Sequence, residues 1–159
     1  MPGSLSVPVK KAVITGLTDY LAGLTDFNGA GVVEDLVEVS YAYNFGSTAA
    51  QRVYTGRSRA ETPPAAQRSG RNHRNESGQF EINVLVQLPG GSTEEADQRA
   101  SDIGDAIEEW IADRKSGEGM GVAHLNSLYV DRWESDYIGV DRGSAAIRTY
   151  TVRWTARLT

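Results

Sequence analysis

Phe80, Ile82, Val84, Val86 and Leu88 alternate with more polar neighbours, the period of a half-buried strand. Pro89-Gly90-Gly91 ends that ladder, because proline lacks an amide hydrogen and glycine turns freely. Ser92 and Glu95 then form a capping box that opens a helix. Along it Ala96, Ala100, Ile103, Ile107, Trp110 and Ile111 recur at helical spacing on one face. A strand turning tightly into an amphipathic helix predicts a small α+β domain.

The same reading extends in both directions. Val9, Val13, Leu17, Tyr20, Leu21 and Leu24 predict a first helix from about Pro8 to Leu24, with Pro8 in the first turn. Thr25 to Gly31 is a loop, and Val37, Val39, Tyr41 and Tyr43 alternate as a strand. Asn44 to Ser47 reads as a turn, after which Gln51 to Glu61 pairs back as a second strand. Thr62-Pro63-Pro64 forbids its continuation. The segment Gly56 to Gly78 is polar and almost free of large apolar residues, so it is expected to be a long flexible arm. Beyond the second helix lies a glycine-rich loop, Arg114 to Gly121. Two extended segments follow, Val122 to Ile138 and Ala145 to Leu158, joined by a hairpin link from Gly139 to Gly143. In the last strand Ala146, Tyr150, Val152, Trp154, Ala156 and Leu158 share a face, with Arg148 the exception. In the strand before it the apolar parity shifts from Leu128 and Val130 to Trp133 and Tyr137, which predicts a bulge near Asp131. The expected architecture is one α+β domain over 1–159. It has a mixed, largely antiparallel sheet, two helices packed on one face, and a long flexible loop between the second and third strands.

Composition narrows the class. A chain of 159 residues can bury a core without staples. It has no cysteine, which excludes disulfides, thiolate metal sites and thiol nucleophiles. No apolar run has the length of a membrane span, and the opening residues lack the hydrophobic stretch of a signal peptide. The composition is that of a soluble intracellular protein. A net charge of −5 argues against a general nucleic-acid binder. That average hides a split. Arg52, Arg57, Arg59, Arg68, Arg71 and Arg74 fall in one short span against Glu61 and Glu76, leaving the remainder clearly acidic. Unlike surfaces on one subunit suit head-to-tail packing or an acidic partner, although exposed arginines are also common on ordinary loops.

Candidate chemistry is thin. Gly117-Glu118-Gly119-Met120-Gly121 follows a helix and precedes a strand, the reverse of a phosphate-binding loop. His73 and His124 stand apart, without the clustered donors of a metal site. Asp131, Glu134, Asp136 and Asp141 crowd one hairpin but match neither a glycosidase pair nor a calcium loop. They read as a charged edge that blocks unwanted strand pairing. No Gly-x-Ser-x-Gly elbow occurs. No catalytic residue, cofactor or metal is therefore expected. Trp110 and Trp154 fall on apolar faces as core, whereas Trp133 and Tyr137, amid charge, are candidates for anchoring a partner.

The opening helix Val9–Leu24, the strand Val37–Tyr43, and the join of Phe80–Val86 into Ser92–Trp110 resemble the tail terminator proteins of long-tailed bacteriophages, also called minor tail or tail completion proteins. The Gly117–Gly121 loop and closing hairpin also fit, so the resemblance covers nearly the whole chain. It implies a two-layered subunit that forms a homo-oligomeric ring, a hexamer, on the head-proximal end of the tail tube. The implied partners are further copies of the chain, the major tail tube protein and the head-completion connector. DNA would pass through the lumen without specific binding, and no membrane or catalysis is involved. The implied location is the tail and neck of the virion, with assembly in host cytoplasm. The resemblance transfers no single residue. From charge and exposure, the expected contact residues are Arg57, Arg59, Arg68, Arg71, Arg74, Trp133 and Tyr137. Two other readings are another neck component, such as a connector or stopper, and a small ligand-binding or enzymatic α+β domain.

Overall fold

A computed structural model describes residues 4–61, 74–140 and 143–158. Its elements are α1 (Ser6–Ala22), β1 (Val37–Ser40), β2 (Gln51–Glu61), β3 (Arg74–Pro89), α2 (Thr93–Ala112), β4 (Leu125–Val140) and β5 (Gly143–Leu158), with one 3₁₀ turn at Val33–Asp35. The strands form one five-stranded sheet in the order β1-β2-β3-β5-β4. Both helices lie on the same face, α1 over β1, β2 and β3, and α2 over β3, β5 and β4. The fold is α+β, as the periodicity predicts.

Two strands build the floor of the core. β3 and β5 pair antiparallel from Arg74 opposite Leu158 to Pro89 opposite Gly143. Alternation then puts Phe80, Ile82, Val84 and Val86 beside Ala146, Tyr150, Val152 and Trp154 on the helix side, all buried. The second helix covers them with Ala100, Ile103, Ile107, Trp110 and Ile111. Its start is capped as the sequence predicts, Ser92 accepting the Glu95 amide at 3.1 Å. The helices sit close because two glycines lack a side chain. A Cβ at Gly16 of α1 would meet the Trp110 ring at 2.1 Å, and one at Gly104 of α2 would meet the Tyr150 hydroxyl at 1.6 Å.

A distant residue completes α1. Glu76 of β3 is buried and accepts hydrogen bonds from Leu5 N at 2.8 Å and Ser4 Oγ at 2.9 Å. A carboxylate at a helix N-terminus satisfies free amides and meets the positive end of the dipole.

Three expectations are corrected. The first strand ends at Ser40 and not at Tyr43. It pairs with β2 in parallel, Val37 opposite Gln51 to Ser40 opposite Tyr54, where a hairpin was expected. The connecting loop is braced by Arg52, a buried residue whose guanidinium donates to the carbonyls of Ala49 at 2.7 Å and Ser47 at 2.8 Å. The third correction concerns the arm. Gly56–Glu61 and Arg74–Gly78 are strand, since Ser58 pairs opposite Phe80 and Glu61 opposite Ser77. Polar side chains do not prevent pairing when one face of an antiparallel sheet can be solvated. The remainder of that span, 62–73, lies outside the described residues. The expected bulge is present, with the β4–β5 register shifting between Val130 and Arg132.

Truncation of Ile107 to alanine should cost about 2–5 kcal/mol, the usual range for a buried branched side chain. A denaturation midpoint equal to that of the unmodified protein would place Ile107 outside the core. Gly104→Ala should also destabilise, by roughly 1–3 kcal/mol through overpacking against Tyr150. Helix propensity alone predicts the opposite sign, so a stabilised variant would show that Tyr150 moves aside freely.

Candidate functional site

The bulge decides what the outer edge of the sheet presents. Before it, Leu128 and Val130 face the helices; after it, Trp133 opposite Tyr150 and Tyr137 opposite Ala146 take that role. Trp133 and Tyr137 remain 48% and 52% exposed. They are held in place. The Arg148 guanidinium stacks on the Trp133 ring at 4.3 Å, and its Nε lies 3.5 Å from Asp97 Oδ1 in an ion pair too long for a hydrogen bond. Tyr137 donates its hydroxyl to Asp97 Oδ2 at 3.3 Å. Arg148 thus explains its own exceptional place on an apolar face, since α2 supplies the countercharge. Burial pushes the neighbouring Tyr150 hydroxyl above its ordinary pKa, partly offset by Arg148. Burial, helped by Asp105, likewise raises the Glu108 carboxyl. The cluster presents aromatic surface with fixed charges beside it, an arrangement suited to docking.

The other edge carries Arg57 and Arg59, both exposed on β2 and not on a loose arm. Arg59 pairs with Glu61 at 2.5 Å, but both side chains are more than half exposed, so the pair contributes little to stability. Arg74 opens β3, where its backbone pairs with Leu158. Arg68, Arg71, His73 and Asp141 lie outside the described residues. The basic edge and the Trp133–Tyr137 edge stand on opposite sides of the sheet, so the expected contact residues form two surfaces.

A third surface escaped the sequence reading. Between β1 and β2, Phe45 stands 92% exposed and Tyr43 39% exposed, stacked edge to face at 4.7 Å. Tyr54 supports Tyr43 at 5.2 Å, and Arg52 lies over the same ring. The run Tyr41, Tyr43, Phe45 was the available signal, but alternation assigned the first two to a strand. An open groove of about 960 Å³ also runs along α1, lined by Leu5, Ala12, Tyr20, Trp110, Met120 and Val122. His124, beside it, has a backbone φ of 71°. Among the described residues no three His, Asp or Glu are grouped to hold a metal ion, and no helix is long and apolar enough to cross a membrane.

No protein-family model matches the chain, and no curated protein sequence matches it. A solved structure does. A chain in the virion of a native gene transfer agent particle superposes with a TM-score of 0.57, over 94% of this chain and 98% of that one, at 16% identity. The likeness is one of fold.

Two substitutions separate the roles within the aromatic cluster. Tyr137→Phe removes one long, exposed hydrogen bond and should change stability by no more than about 0.5 kcal/mol. Arg148→Met keeps an unbranched aliphatic stem but leaves Asp97 without its cation and Trp133 without its stacked guanidinium, and should cost roughly 1–3 kcal/mol. Equal urea midpoints for the two variants would show that Arg148 does not hold the cluster.

Proposed function

We propose that this protein is a structural component of a virion that caps the head-proximal end of a tail tube as a homo-oligomeric ring, ending tube growth and forming the surface for head attachment. The observation that carries the reading is the fold shared with a chain of a virion, which extends over nearly the whole of both chains. The resemblance to tail terminators, which rests on the order and spacing of the elements, supports the finer role. A sheet with unlike open edges on its two sides supports assembly by head-to-tail contact. In this reading the protein catalyses nothing. Its partners are copies of itself, the tube protein and the head's connector, and DNA passes through without specific recognition.

The test is to mix the purified protein with bare tail tubes and examine them by electron microscopy. The expected result is a ring of density at one end of each tube, with tubes of uniform length when assembly is carried out in its presence. Because the exposed charges lie at the sheet edges, capping should weaken as salt rises through the range that shortens the screening length. Density on isolated heads with bare tube ends would instead mark a connector or stopper.

A further inference from the structure

Each side of the sheet has an unfinished ladder. Among the described residues, β4 pairs with β5 alone. On the other side β1 covers β2 only from Gln51 to Tyr54, with the Tyr41 carbonyl accepting from Thr55, so Ser58–Glu61 pair with β3 alone, and Gly56 and Arg57 lie at a register shift between Thr55 and Ser58. Unpaired edges are templates for another strand. Because β2–β3, β3–β5 and β5–β4 are all antiparallel, β2 and β4 run in opposite directions within one subunit. Two copies standing side by side in the same orientation therefore bring β4 of one against β2 of the next in antiparallel sense.

The side chains narrow this further. Arg59 and Glu61 oppose Gln79 and Ser77, which puts them on the face away from the helices; Arg57, at the register shift between Thr55 and Ser58, joins them by alternation from Ser58. Arg132, Glu134 and Asp136 oppose Thr151, Thr149 and Ile147 on that same face, and all three are exposed. A single antiparallel register then sets Arg57 opposite Asp136, Arg59 opposite Glu134, and Glu61 opposite Arg132. On the helix side it sets Trp133 opposite Ala60, whose small side chain leaves room for the ring, and Ser135 opposite Ser58. A slip of two residues one way places Glu61 against Glu134, and the other way Arg59 against Arg132. A slip of one puts unlike faces together. The charges discriminate among registers more than they add affinity, because each exposed pair is weak alone.

We propose that neighbouring copies join by antiparallel addition of β4 to the Gly56–Glu61 segment of β2, in the register that pairs Arg57 with Asp136, Arg59 with Glu134 and Glu61 with Arg132. The pairing rests on the ring assembly proposed above and names the surfaces that make it.

The absence of native cysteine allows a direct test. In the double variant Ser58→Cys, Ser135→Cys, oxidation should link copies into a ladder of oligomers on a non-reducing gel, and neither single variant should produce that ladder. Within one subunit the two positions are three strand spacings apart, at least about 14 Å, and are further offset along the strands because Ser58 lies level with Val130, beyond the roughly 7 Å that a disulfide can bridge. Charge reversal supplies a second arm. Arg57→Glu with Arg59→Glu, and separately Glu134→Arg with Asp136→Arg, should each abolish self-association while leaving the melting transition nearly unchanged. Mixing the two variants should restore association, because acidic then meets basic at every contact. A protein that assembles normally while the cysteine pair stays unlinked and the reversed variants still associate overturns the edge pairing and leaves the ring reading standing. A chain that never associates, alone or on tail tubes, overturns the ring reading and the pairing with it.

Discussion

The long antiparallel ladder between β3 and β5 is the constraint on which the rest of the structure depends. Its register, Arg74 opposite Leu158 through Pro89 opposite Gly143, decides which side chains share the helix face. Tyr150 and Trp154 thereby reach the core, and Gly104 of α2 can approach only because it offers no Cβ to the Tyr150 hydroxyl. The same register puts Glu76 beneath the start of α1, where it holds the Leu5 amide. A shift by one residue would turn Phe80, Ile82 and Val84 outward and remove the helix cap together. One strand pair thus sets the position of both helices.

The parts legible in the sequence were those written as local periodicity. The alternation Phe80–Leu88 and the helical spacing Ala96–Ile111 each depend on near neighbours, and both appear as buried faces. Even the bulge at Asp131 could be read, because a bulge changes the parity of apolar residues along one strand. The exposure of Trp133 and Tyr137 was read from the charged residues around them, and both are about half exposed.

What could not be read depends on contacts between residues far apart in the chain. Arg52 looked like one more cation in a basic span, yet it is buried and braces the loop that joins the parallel pair β1 and β2. Arg99 is similar. It donates to the Gln51 side chain and to the carbonyls of Asp26 and Asp35, and covers Phe27, fastening an irregular segment to α2. An arginine with five donors can satisfy several loop carbonyls at once. Nothing in its immediate neighbours distinguishes such an arginine from an exposed one, which is why Arg52 was grouped with Arg57 and Arg59.

Exposed charge on a sheet edge is commonly a device against aggregation, because a charged strand cannot pair with an arbitrary neighbour. That account fits β4 taken alone, where Asp131, Arg132, Glu134 and Asp136 are all exposed. It does not explain why β2, on the far side of the sheet, carries the complementary order Arg57, Arg59, Glu61 on the same face. An edge defended only against pairing has no need of a partner sequence elsewhere in the fold. Defence and recognition are nevertheless compatible: the charges that repel a foreign strand or a slipped register are those that admit one strand in one register. Since the two edges are different surfaces of one subunit, such a contact leaves an open edge at each end of any chain of copies. Only ring closure satisfies them all. The edge chemistry and the proposed role therefore impose the same requirement, a subunit whose two sides are unlike and complementary.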